Sequence, residues 1–252
     1  MSTNVIKTWG ARGLYPQPKT FPKWHSLHGY VEWNGVILKI NDKVFPPWYS
    51  SQACIQALEI ELSESNIGGK AIDIGCGSGI IGLYLALKAS CEVIFFCDID
   101  SIAVKSTQEN AYIFMKINRD VYSKMLICQS DFLSAFSESM LFDLIIANPP
   151  LDPNSPNYEA VKKWGRLIDA LYDPDHASLK RLFSEAAMRL APSGRFYLSY
   201  SPKFISISQL VSKAIENRLT VLKSYIWDYH TPYSSNPLAV TQYGCAVIIH
   251  GK

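Results

Sequence analysis

The chain has 252 residues, 48% hydrophobic and 18% charged, with a formal net charge of +2. That length buries a substantial core in one large domain or one domain with an appendage, and that balance excludes an intrinsically disordered chain. A charge so close to zero gives no polyanion-binding footprint, so a nucleic-acid partner is neither required nor excluded.

No stretch approaches the roughly 18 apolar residues of a membrane span, and the start, MSTNVIKTWGARG, lacks the apolar core of a signal peptide. A soluble, cytoplasmic protein is expected. The six cysteines are scattered, mostly among apolar neighbours and without a CxxC pair, so buried free thiols are expected, with no metal site and no disulfide framework.

Residues 1–29 are rich in Pro, Gly, Trp and Lys, and YVEWNGVILKI then alternates around Asn34-Gly35 as a β-hairpin does. Residues 1–43 read as an extension or cap. SSQACIQALEIELSES predicts a helix with Ser50 or Ser51 as its cap and Ile55, Leu58 and Leu62 on one face. From residue 68 short apolar segments alternate with helical periods: KAIDIG, IIGLYLALKAS, CEVIFFCDI, SIAVKSTQENAYIFMKI, KMLICQSD, FDLIIANPP, ASLKRLFSEAAMRLAPSG and RFYLSYSP. This alternation predicts βαβ units in a doubly wound, mostly parallel sheet with helices on both faces. At the end, TVLKSYIWDYH and YGCAVIIH have no helix between them and predict an antiparallel closing pair.

Open sheets of this kind bind ligands beyond the carboxyl ends of their strands. The first strand end carries DIGCGSGIIG, in which Gly75, Gly77 and Gly79 permit a tight turn and close approach; Gly77, Gly79 and Gly82 also satisfy GxGxxG. The second strand end places Asp98 nineteen residues after Gly79, where a carboxylate accepts both hydroxyls of a ribose, while Asp100 caps the next helix. The third offers Asp131 to an exocyclic amine and Phe132 to the face of a base. The fourth ends on Asn148-Pro149-Pro150, where two imides stop the ladder. A strand stop followed by a turn is the plain alternative.

Together, DIGCGSG at 73–79, DID at 98–100, SDF at 130–132 and NPP at 148–150 resemble the class I S-adenosylmethionine-dependent methyltransferases, in that family's order and over residues 44–250. The resemblance implies a Rossmann-like fold with a reversed last strand and a methyltransferase domain over 44–252. It implies S-adenosyl-L-methionine as cofactor, held by Asp73, Gly75, Gly77, Gly79, Asp98, Ile99, Asp131, Phe132 and Asn148. It implies that Asp73 orients the cofactor's ammonium group, a place where a dinucleotide's diphosphate has no use for negative charge. In methyltransferases acting on planar nitrogen, Asn148 and the Pro149 carbonyl correspond to the acceptors that clamp the target NH₂. The position after NPP, usually aromatic, is Leu151 here, which leaves Trp48 and Tyr49 as candidate stacking partners beside Pro150 and Leu151.

A small-molecule or peptide-like methyl acceptor is expected, because the N-terminal part is shorter than the helical domain of release-factor glutamine methyltransferases and no RNA-binding module is visible. Protein glutamine or an RNA base is the alternative. An NAD-dependent oxidoreductase would leave Asp73 and NPP unused, and a non-catalytic partner subunit would not need Asn148. His25 and His28 read as surface residues, and Lys162, Lys163, Arg166, Lys180 and Arg181 as solvated helix faces. LDPNSPNY, 151–158, reads as a mobile rim.

Overall fold

The computed structural model describes residues 4–7, 30–33, 36–39, 41–65, 67–122, 124–154, 170–230 and 240–251. His25, His28, Lys162, Lys163, Arg166 and residues 155–158 of the 151–158 rim lie outside them. In chain order the elements are β1 Asn4–Lys7, β2 Tyr30–Trp33, β3 Val36–Lys39, α1 Tyr49–Glu64, β4 Gly68–Ile74 and α2 Ile80–Lys88. β5 Ser90–Asp98, α3 Ser101–Ile117, the single turn α4 Arg119–Tyr122, β6 Met125–Gln129 and β7 Phe142–Ala147 follow. The chain closes with α5 Ala177–Arg189, β8 Leu190–Tyr200, α6 Ile207–Glu216, β9 Leu219–His230 and β10 Val240–His250. Among the described residues, no helix is long and apolar enough to cross a membrane.

The main sheet has the order β1-β9-β10-β8-β7-β4-β5-β6. Neighbours from β6 through β8 run parallel, and β10 lies antiparallel between β8 and β9, as the missing helix before it predicts. Strand alternation builds two cores. Leu144 and Ile146 of β7 join α1, α2 and α3 on one face, while Ile145 and Ala147 join α5 and α6 on the other. Chain order reverses between β4 and β7, so the crevice for a ligand opens above their carboxyl ends.

Three boundaries differ from the sequence reading. Helix α1 is not capped by Ser50 or Ser51; Trp48 is its N-cap, with no side-chain capping bond, and both serines lie buried in the first turn. Helix α6 is absent from the predicted elements, although Ser206 and Gln209 form a capping box that signals its start. Strand β8 begins at Leu190, inside the segment read as helix, because α5 ends at Arg189. Strands β2 and β3 pair antiparallel with Trp33 opposite Val36, the Asn34-Gly35 turn itself lying outside the described residues, and β1 adds a parallel edge strand beside β9.

Candidate active site

The turn after β4 is tied to β5: the Gly75 and Cys76 N–H groups donate to the Cys97 carbonyl at 2.8 and 3.0 Å. Gly75, Gly77 and Gly79 all have positive φ, at 69°, 55° and 83°, a region that side chains other than glycine enter only with strain. A Cβ at Gly75 would point into open space within 4 Å, which leaves bare backbone facing the crevice. From behind, α3 grips the same turn: Thr107 Oγ1 donates to the Gly77 carbonyl at 3.0 Å and Asn110 Nδ2 to the Ser78 carbonyl at 2.9 Å. The Lys39 N–H donates to Asn110 Oδ1 at 2.7 Å, so the N-terminal hairpin is moored to the residue that braces the glycine turn.

Two carboxylates stand at this edge. Asp73, nearly fully buried, accepts the Gly82 N–H at 2.9 Å in the first turn of α2. Burial pushes its carboxyl up to about 7; the Gly82 bond opposes the shift and the charge of Asp98 adds to it. Asp98 accepts the Gly77 N–H at 3.0 Å on one oxygen and the Asp100 N–H at 2.9 Å on the other. Burial also raises its pKa, against those backbone bonds. Asp100 accepts the Ile102 N–H at 2.9 Å and caps α3, as its position predicts.

Beyond β6, Phe132 has a φ of 50° and lines the crevice beside Asp131. Arg181 of α5 reaches across to both: Nη1 donates to Asp131 Oδ2 at 2.7 Å, Nη2 to the Asp131 carbonyl at 3.2 Å, and the guanidinium lies 4.7 Å from the Phe132 ring centre. Its Nε donates to Glu185 at 2.6 Å, and Glu185 accepts the Leu133 N–H at 2.9 Å. Arg181 is therefore not the solvated helix-face residue that the basic pair suggested. Its i, i+4 spacing to Glu185 was the available signal.

Strand β7 delivers Asn148, whose Nδ2 donates to Ser51 Oγ of α1 at 3.2 Å. After Pro150 the backbone turns to pair with 171–173: the Leu151 and Asp152 N–H groups donate to the Leu171 carbonyl, and the Asp173 N–H to the Asp152 carbonyl. One cleft of about 930 Å³ unites these groups. Asp73, Gly75, Gly77, Asp98, Ile99, Asp131 and Phe132 line one part; Asn148, Pro149, Pro150, Leu151 and Trp48 line the other.

Two residues expected at the site lie behind it. Gly79 is absent from the lining, and a Cβ there would come within 2.9 Å of Thr107, so it serves packing. Tyr49 is buried and stacks on Tyr229 with ring centres 4.6 Å apart, which removes it as a stacking platform. Phe45 and Tyr243, unremarked in the sequence, join Trp48 at the cleft instead. They come from an extended lead-in and from β10, and no local pattern connects them.

The arrangement fits an adenosine bearing a cationic tail. An open glycine cradle, a carboxylate already spanning two backbone amides, and a second buried carboxylate that a cation would ionise are all present, whereas a diphosphate would meet Asp73 as a repulsion.

Residues 49–169 match the family described as methyltransferase small domain. The chain is 26% identical over 200 residues to the release factor glutamine methyltransferase of Streptococcus pneumoniae, covering 75% of this chain and 66% of that protein. It is 28% identical over 183 residues to the ribosomal RNA large subunit methyltransferase G of Alcanivorax borkumensis, covering 68% of this chain and 39% of that protein. The chain thus spans less than two thirds of the length of these relatives. Among solved structures, a T. thermophilus 16S rRNA N2 methyltransferase in complex with AdoMet and guanosine superposes with a TM-score of 0.56 at 19% identity, over 89% of this chain and 50% of that one. At that identity the likeness concerns the fold.

Proposed function

We propose that this chain is an S-adenosylmethionine-dependent methyltransferase whose cleft methylates a planar amino or amide nitrogen of a macromolecule of the translation apparatus. The observation that carries this reading is Asn148: its amide closes β7 at the cleft with the nitrogen end engaged by Ser51, leaving the oxygen end as an acceptor. Relatives named for a release factor and for ribosomal RNA favour a macromolecular acceptor over the small molecule expected from sequence.

S-adenosylmethionine, when bound, supplies an electrophilic methyl group on a sulfonium whose leaving group is a neutral thioether. Asp98 would hold the ribose hydroxyls, Asp73 the ammonium group, and Asp131, Ile99 and Phe132 the adenine. Asn148 Oδ1 and the Pro149 carbonyl would each accept one hydrogen of the target NH₂, which points the nitrogen lone pair at the methyl. Fixing that geometry is the main catalytic contribution, since orientation alone accounts for several orders of magnitude in rate. The domain reading, an extension over 1–43 and a methyltransferase domain over 44–252, is supported by a family match that begins at residue 49 and by the separate two-stranded sheet of β2 and β3, while β1 lends the main sheet one edge strand.

The test is methyl-labelled S-adenosylmethionine incubated with purified release factor and, in parallel, with deproteinised ribosomal RNA. Label is expected on nitrogen in one of them. Label on oxygen or carbon would overturn the nitrogen assignment, and label in neither would overturn the acceptor class.

A further inference from the structure

A primary amide can aim either of two ends at a substrate, and only one of them accepts a hydrogen. An asparagine can settle the question locally, its side-chain oxygen accepting the N–H of the residue two positions on to close an Asx-turn. Here that residue is Pro150, and the one before it is Pro149; neither has an N–H. The two prolines therefore deny Asn148 Oδ1 that local donor. What remains to orient the amide is its nitrogen end, and that end donates to Ser51 Oγ at 3.2 Å.

Ser51 is well placed to hold a fixed position. It is buried in the first turn of α1, and the same turn is held to the end of β8 by Ser199 Oγ, which donates to the Ser50 carbonyl at 3.1 Å. The Gln52 N–H closes the turn on the Trp48 carbonyl at 3.0 Å. Strands β7 and β8 are paired neighbours, so the acceptor and the amide it receives share one rigid frame.

We infer that Ser51 is a positioning residue that anchors the Asn148 side chain at the end of β7, so that the amide oxygen faces the cleft as the acceptor for the target NH₂. The inference rests on the nitrogen-clamp reading of Asn148. Without that anchor the amide turns freely about its side-chain bonds, and the substrate loses one of its two clamps for much of the time.

The experiment has one arm that needs no acceptor. In ¹⁵N-labelled protein, the Asn148 side-chain amide pair is identified as the pair missing from Asn148→Asp. In Ser51→Ala it should move toward the positions of a solvated amide and exchange with water faster; in Ser51→Thr, which keeps the hydroxyl, it should stay near its wild-type place. An unmoved pair in Ser51→Ala overturns the inference.

The second arm measures methyl transfer to release factor and to deproteinised ribosomal RNA. Ser51→Ala should lower kcat about tenfold, the cost of one lost orienting hydrogen bond, while S-adenosylmethionine affinity stays within about threefold. In the Asn148→Ala background the same change should cost less than about twofold, because no side chain remains for Ser51 to position. Equal losses in the two backgrounds would mean that Ser51 acts only through packing and would overturn the inference. Should Asn148→Ala turn over too slowly to measure, restoration of kcat by Ser51→Thr, with the amide signal, decides in its place. Full turnover by Asn148→Ala would instead remove the nitrogen-clamp reading, an outcome distinct from any failure at Ser51.

Discussion

The two parts of the cleft are built by opposite strategies. On the cofactor side, Asp73 and Asp98 are already satisfied by backbone N–H groups from within 21 residues of chain, and the glycine turn is braced by α3. On the acceptor side, Asn148 is oriented by a serine 97 positions away, and the aromatic wall draws on Phe45, Trp48 and Tyr243. The first part is preorganised by local geometry that any bound adenosine can use. The second is assembled from distant segments, which is where acceptor specificity can vary without disturbing the cradle.

That division predicts separable losses. Asn148→Ala should leave cofactor affinity within about threefold but lower turnover by roughly a hundredfold or more, since a misplacement of about 1 Å costs that much. Titration calorimetry and single-turnover transfer check the two quantities independently. Asp98→Ala should do the reverse, weakening S-adenosylmethionine binding about ten- to hundredfold through the loss of charge-assisted hydrogen bonds. An Asp98→Ala protein with wild-type affinity would remove the ribose assignment.

The same division decides what the sequence could reveal. Glycines with positive φ and the spacing from Gly79 to Asp98 are local signatures, so the cradle was legible residue by residue. The sheet and its antiparallel closure were legible from alternation and from the missing helix between β9 and β10. Ser51 was read as a helix cap because its type suits one, and only the approach of β7 to α1 gives it another partner. Tyr49 and Trp48 are adjacent and chemically alike, yet one side chain turns into the core and the other to the cleft; nothing in WYSS distinguishes them. Arg181 needed the fold to bring α5 against the end of β6.

Asp73 makes the cofactor side sensitive to pH. Burial pushes its carboxyl up to about 7 in the folded protein, well above the ordinary carboxylate range, so between about pH 4 and 7 the folded state holds a proton that the unfolded state has lost. Stability should therefore fall as pH rises across that window and level off above it, and Asp73→Asn should flatten that slope in denaturant titrations. A cationic ammonium beside Asp73 favours the ionised form, so binding of S-adenosylmethionine near pH 6 should release a proton. Calorimetry in buffers of different ionisation enthalpy reads that release directly, and affinity should rise by up to about tenfold between pH 6 and 7.5. Proton release unchanged in Asp73→Asn would assign the linkage elsewhere.

Arg181 is expected to give the smallest effect, and its sign carries information. The guanidinium bridges Asp131 and Glu185 and lies over Phe132, but its side chain is 40% exposed and that of Asp131 45%, so solvent screens the pair. If Arg181 braces the adenine contacts, Arg181→Ala should weaken S-adenosylmethionine binding about two- to fivefold, more at low salt than at high salt. Arg181→Lys should recover only part of this, because an ammonium cannot donate to the Asp131 carboxylate and carbonyl in a planar fork while lying flat on a ring. Tighter binding in Arg181→Ala would reverse the assignment: the guanidinium would then be competing with the adenine for the Asp131 carboxylate and the Phe132 face, and the cofactor side of the cleft would carry an internal rival for its own ligand.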